Sequence, residues 1–139
     1  MDIVQSPLKF NNYCADKIIF EVNYGYVKKE GAIVELSPII TKEISEPEGN
    51  SFFTTLNLKI ENEEDPDSLP FKLEISITGW FEVEVDDPEC KDDLMKNNSI
   101  VILLPFLRSL VTTVTAGANI PPLVLPVLDL NGLFEEDEE

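Results

Sequence analysis

Over the first two thirds of the chain, apolar residues recur at every second position between clusters of turn formers, the spacing of half-buried β-strands. The clearest run predicts a strand from Phe71 to Val85. Phe71, Leu73, Ile75, Ile77, Phe81, Val83 and Val85 share one face, while Lys72, Glu74, Ser76, Thr78, Trp80, Glu82 and Glu84 share the other. Phe52, Leu56, Leu58 and Ile60 alternate in the same way with Phe53, Thr55, Asn57, Lys59 and Glu61. The intervening Glu63-Glu64-Asp65-Pro66-Asp67-Ser68 has turn composition, so these two runs form a long hairpin. Two weaker runs precede it. In Leu8 to Val22 the apolar pattern lapses around Asn12 and Asp16, which predicts a bulge or break. In Ala32 to Ile44, Pro38 argues for an edge position or a bulge. Asn23 to Gly31 is too long for a tight turn and predicts a crossover between them.

The period changes at Leu94. Ile100, Leu103, Leu104, Leu107, Leu110, Val111 and Val114 recur at the i, i+3, i+4, i+7 spacing of an amphipathic helix, with Asn98 or Ser99 as its cap and Gly117 or Asn119 at its end. Ile102 and Phe106 fall outside the stripe, so the helix needs burial on more than one side, and Pro105 should kink it or mark its first turns. Ile120 to Leu128 contains three prolines and is expected to run extended, and Glu135 to Glu139 is a solvated acidic tail. The expected layout is one domain over 1–139: sheet over 1–87, a helical region over 88–119, an extended Pro-rich segment over 120–134 and the acidic tail over 135–139.

These elements do not cover one another. Four strands at about 4.8 Å spacing and roughly 40 Å length present an apolar face of order 800 Å2. One helix of about 18 residues, some 27 Å long and 10 Å across, shadows roughly a third of it. Exposed apolar surface of several hundred Å2 marks an interaction face, so a second subunit or an apolar partner is expected.

Composition narrows the chemistry. The 139 residues include ten Lys and Arg against 27 Asp and Glu, a formal net charge of −17 that repels nucleic acid and anionic membrane surfaces. Histidine is absent, which removes the commonest general base and metal ligand and every Ser-His or Cys-His nucleophile, so no enzyme activity is expected. Cys14 and Cys90 lie far apart with no CxxC spacing, which suggests two reduced, inert thiols and no zinc or other cofactor. The start, Met1 to Pro7, lacks the basic and apolar regions of a signal peptide, and Pro105 and Arg108 interrupt the most apolar window, so a cytoplasmic chain with no membrane span is expected. The acids Asp86, Asp87, Glu89, Asp92 and Asp93 lack the spacing and glycine of a calcium loop and read as a strand-to-helix connection. Glu74, Glu82 and Glu84 lie on one wet strand face, without a pocket to make an acid–base pair of them. Trp80 is the odd residue of that polar face and reads as cross-strand packing. What remains is surplus apolar surface on a strongly acidic chain, the combination suited to binding other polypeptides while staying in solution.

Ile102-Leu103-Leu104-Pro105-Phe106-Leu107-Arg108, then Gly117-Ala118-Asn119-Ile120-Pro121-Pro122-Leu123-Val124-Leu125-Pro126, and finally Leu133-Phe134 resemble the C-terminal half of the SecB protein-export chaperones. That family has an I-L-F-P-Y-A-R helix start, an R-G-x-F-P-x-L-x-L-x-P segment and an A-L-F close, and the match runs without a gap from Val101 to Phe134. Upstream, Ile19-Phe20-Glu21 and Gly79-Trp80-Phe81 stand where SecB has S-F-E and G-I-F.

The resemblance implies an α+β fold: a four-stranded antiparallel sheet with a crossover between its first two strands and one long helix, assembled as a dimer of dimers. It further implies an ATP-independent holdase for extended apolar segments of unfolded polypeptides and preproteins, or else a SecB-like protein dedicated to a single partner such as an antitoxin or phage protein. By position, the implied client groove takes in Tyr24, Tyr26, Val27, Leu104, Phe106, Leu123, Leu125 and Leu128. For Leu104 and the others subunit packing is the competing role. The translocase motor SecA would meet Glu21 and Glu74. Lys17 and Lys72, however, stand where an acid and an apolar residue belong, a charge change that weakens that contact. The acidic ending also replaces the second helix and tail with which SecB continues.

Overall fold

A computed structural model describes residues 6–26, 36 and 38–120 of the chain. Four strands form one antiparallel sheet: β1 (Leu8–Val22), β2 (Ile39–Ile44), β3 (Ser51–Ile60) and β4 (Phe71–Val83), in the order β1-β4-β3-β2. The expected hairpin is present as β3 and β4, joined by a connection containing a single 3-10 turn, Pro66–Ser68. Because β1 and β2 occupy opposite edges, the chain between them must pass across the width of the sheet, as the long Asn23–Gly31 interval predicted. The edge position of β2 accounts for Pro38, whose missing N–H has no ladder bond to lose. The strand itself begins only at Ile39; residues 32–35 and 37 of the longer strand expected there are not among those described. Likewise β4 ends at Val83, and Val85 lies beyond it, half-buried.

β1 has the bounds its pattern suggested, and its two lapses are register shifts, one between Phe10 and Asn12 and one between Ala15 and Lys17. Each extra residue flips the alternation, so the second restores what the first reversed. Phe10, Tyr13, Ala15, Ile18, Phe20 and Val22 therefore all pair with helix-side positions of β4, from Phe81 through Gly79 to Phe71. The second bulge turns Asp16 toward the outer face, where its carboxylate accepts the Thr78 hydroxyl, and Thr78 is bonded in turn to Thr55 at 2.8 Å.

The cap of the helix departs from expectation. It is Asp87, not Asn98 or Ser99, accepting the Glu89 amide at 3.2 Å, and Pro88 occupies the first turn. α1 (Pro88–Asp93) runs through a π-helical turn, Leu94–Asn98, into α2 (Ser99–Gly117). The apolar stripe hid this start because α1 has no buried residues, leaving no periodicity to read. In the π turn the Ser99 amide reaches back five residues to Leu94, and its hydroxyl donates to the Met95 carbonyl at 2.6 Å. That proton being committed, Thr54 of β3 donates to Ser99 Oγ at 2.8 Å, a fully buried link between sheet and helix. The end is Asn119, in the left-handed region at φ 62; its amide bonds Ala116 and the Ile120 amide bonds Thr115, a Schellman closure. Pro105 lies inside α2.

Leu56, Leu58, Ile60, Leu73, Ile75 and Ile77 of the sheet are sealed against Ile100, Leu103, Leu107 and Val111 of α2, each at most 1% exposed. At about 1.5–3 kcal/mol per fully buried side chain, this seam dominates the favourable side of folding. Pro88–Gly117 is long and apolar enough by composition to cross a membrane, but its most apolar stripe is the one packed on the sheet. Helix and sheet approach closely at Gly79, where a Cβ would lie 2.6 Å from Leu103 Cδ2 and 3.0 Å from Phe81 Cε2. Since Leu103 is wholly enclosed, it has no room to yield. Gly79→Ala is therefore expected to lower the unfolding free energy by about 1–3 kcal/mol, and Gly79→Val by more, measured by urea denaturation.

Candidate functional site

Two surfaces carry the residues singled out from the sequence. On the helix side, α2 lies over β3, β4 and part of β1, held to β1 by Phe106, whose ring centroid is 4.4 Å from Tyr13 and 5.6 Å from Phe10. Phe10 continues through Phe81 to Phe52, each step 5.3 Å, so one aromatic row crosses three strands beneath the helix. Phe106 is half-buried in this row, and Leu104 belongs to the core at 8% exposure. Both pack within their own chain.

Toward the other end of β1 the helix-side face lies open. Ile18 and Val22 are 48% and 42% exposed, beside a half-buried Phe20 that stacks on Phe71 at 5.5 Å. Tyr24 follows directly, 94% exposed at the tip of a turn. Asn23 fixes that turn: its side-chain amide donates to the carbonyls of Pro66 and Leu69, both at 2.9 Å, and its Oδ1 accepts the Gly25 amide at 3.0 Å. A Cβ on Gly25 would lie 2.9 Å from the exposed Asp67 carboxylate, which brings this turn close against the β3–β4 connection. Tyr26, half-buried, ends the described part of this segment; Val27, Leu123, Leu125 and Leu128 lie outside the described residues. The structure thus leaves Tyr24 exposed beyond the open end of β1, whereas Leu104 and Phe106 of α2 pack against the core and the aromatic row. Ile18 and Val22 were not singled out from the sequence, because apolar alternation reads the same whether the strand face is covered or bare.

On the outer face, Glu21 and Glu74 stand close together, since Glu21 pairs with Lys72 and Glu74 is two residues further along β4. Glu74 accepts from Asn57 at 3.1 Å and from Lys17 at 3.4 Å, and Lys72 is 3.6 Å from Glu61. The two unexpected lysines are thus engaged with carboxylates on this face. The Asn57 amide, then the Lys17 bond and charge and the charge of Lys59, hold the Glu74 carboxyl below the ordinary range, with partial burial opposing them. Cys14 and Cys90 are free and exposed. Desolvation and the neighbouring Asp16 carboxylate push the Cys14 thiol up, which favours its protonated form.

A carboxyl with a depressed folded pKa contributes stability above its unfolded pKa and loses it as pH falls through the folded value. Glu74→Gln should therefore lower the urea midpoint at pH 7, with the gap to the parent closing as pH falls below the carboxylate range. A gap unchanged at pH 3 would show the ion pair to be without effect.

Comparison with known proteins agrees with this architecture. The family model for the preprotein translocase subunit SecB matches residues 16–139. An uncharacterised protein of Methanocaldococcus jannaschii is 33% identical over 134 residues, covering 95% of this chain and 85% of its own. The protein-export protein SecB of Anaplasma phagocytophilum is 34% identical over 101 residues, 67% of this chain and 63% of its own length. A SecB-like chaperone of Mycobacterium tuberculosis, solved in complex with a peptide from an antitoxin, shares the fold at a TM-score of 0.62 and 16% identity, over 87% of this chain and 90% of that one. With the hairpin, the opposed edge strands and the single long helix in place, the chain belongs to the SecB family of protein-export chaperones.

Proposed function

We propose that the protein is an ATP-independent holdase of the cytoplasm that keeps unfolded polypeptides, preproteins among them, from aggregating. The observation that carries this reading is the apolar helix-side surface left open at Ile18 and Val22 within a SecB-family fold, with the exposed, tethered Tyr24 next in the chain. An extended client laid along this surface buries apolar area at roughly 25 cal/mol per Å2, offset by the entropy of ordering it, so affinity comes from length of contact. The lining we propose is Tyr24 and Tyr26, with Val27, Leu123, Leu125 and Leu128 extending it. Leu104 and Phe106 support the surface from below, in keeping with their place in the core and the aromatic row. Nothing in this mechanism calls for turnover or a cofactor. The same open face is where further copies of the chain would pack, and a dimer of dimers is the assembly we propose. At Glu21 and Glu74, the lysine on Glu74 argues for a weak SecA contact at most.

A second reading, a chaperone dedicated to one partner, draws on the Mycobacterium tuberculosis relative of the fold, which was solved with an antitoxin peptide. Affinity capture of the native protein separates the two: many unrelated unfolded chains favour the general holdase, one stoichiometric partner the dedicated one.

The holdase reading predicts that near-stoichiometric protein, with a native mass of more than one chain, delays aggregation of a chemically unfolded test protein. Tyr24→Ser should shorten that delay several-fold without changing the urea midpoint, because the side chain is almost fully exposed. Phe106→Asp should instead unfold the chain. No delay with the parent, and no bound client, would sink the reading.

A further inference from the structure

The outer face carries an aromatic pair well apart from Glu21 and Glu74. Trp80 of β4 and Phe53 of β3 are direct partners in the register and remain 40% and 38% exposed. They line an open cleft of about 380 Å3 whose other walls include Asn11, Ser45, Glu46 and Glu48. Local structure holds these walls in place. Asn11 is the residue left out of register by the first bulge of β1. Ser45 is tied to Phe53 twice, its amide to the Phe53 carbonyl and its hydroxyl from the Phe53 amide, both at 2.9 Å. Glu48 and Ser51 exchange backbone bonds of 2.8 and 3.1 Å around Gly49, whose φ of 66 closes the turn. Glu82, opposite Ser51, adds a carboxylate on the same face.

Charge and ring chemistry select the occupant. Among the described residues Glu46, Glu48 and Glu82 make no ion pair, while Lys9, opposite Glu82, directs its ammonium to Glu84 at 3.9 Å. A neutral apolar guest would desolvate the carboxylates without pairing them, and an anion would be repelled. A cation gains from both the carboxylates and the negative faces of the rings. We propose that this cleft seats an arginine or lysine side chain of a basic segment of a partner polypeptide, over Trp80 and between Glu46 and Glu48. Trp80 lies six residues from Glu74 along β4, about 20 Å, so the site is separate from the Glu21–Glu74 pair. It is also separate from the helix-side surface, and it stands whether or not clients are held there.

Trp80 is the chain's one tryptophan, so its emission reports directly on the cleft. A short peptide alternating arginine and alanine, too small to act as an unfolded client, should give a saturable emission change that weakens with salt. Its affinity should fall about five- to tenfold in Glu46→Gln/Glu48→Gln. The affinity should hold in Glu21→Gln/Glu74→Gln and be lost when citrulline replaces arginine. Equal binding of the citrulline peptide, an equal loss in both double variants, or no emission change overturns the proposal. So does emission that shifts with protein concentration alone, which would assign the cleft to a second copy of the chain.

Discussion

The seating of the long helix on the sheet at Gly79 is the constraint on which the rest of the structure depends. A strand residue without a side chain lets Leu103 come down onto β4, where a Cβ would stand 2.6 Å from its methyl. At that depth the stripe Ile100, Leu103, Leu107 and Val111 is sealed, and the polar pair Thr54 and Ser99 meets at 2.8 Å beside it. Neither hydroxyl is left unpaired, because Ser99 spends its own proton on the Met95 carbonyl in the π turn. Helix position, helix phase and the polar link are thus mutually dependent.

A helix seated so deeply over the middle of the sheet leaves an end of the sheet bare. The aromatic row from Phe52 through Phe81 and Phe10 to Phe106 closes one part of β1, whereas Ile18 and Val22 stay open and Tyr24 is held out by Asn23. Coverage is therefore divided along one strand: the stretch that the helix reaches is core, and Ile18 and Val22 in the stretch it does not reach are exposed. The acidity of the molecule suits that division, since a net charge of −17 opposes indiscriminate association of an exposed apolar edge.

The bulges of β1 show how a local irregularity serves both faces. The first extra residue brings Tyr13, three positions after Phe10, onto the same side as Phe10, and the second returns the strand to its original phase for Ile18, Phe20 and Val22. The same insertions send Asn11 toward the Trp80 cleft and Asp16 toward Thr78. A regular strand would have had to choose between the aromatic row and these outer contacts.

The sequence by itself determined the local elements and one side of each. Alternation located the β3–β4 hairpin and the full length of β1, the lapses at Asn12 and Asp16 fell beside its bulges, and the apolar stripe picked out the buried face of α2. The motifs around Pro105 and Gly117 further placed the chain near SecB, and the family match bears this out. Period and propensity are nearest-neighbour properties, so a sequence displays them directly. Only the tertiary structure decided that Asp87 caps the helix, that Leu104 and Phe106 pack against the core, and that Ile18, Val22 and Tyr24 are open. The reason is geometric: which apolar side chains are covered depends on where a finite helix lands on a wider sheet, and that is fixed by one close approach between residues far apart in the chain.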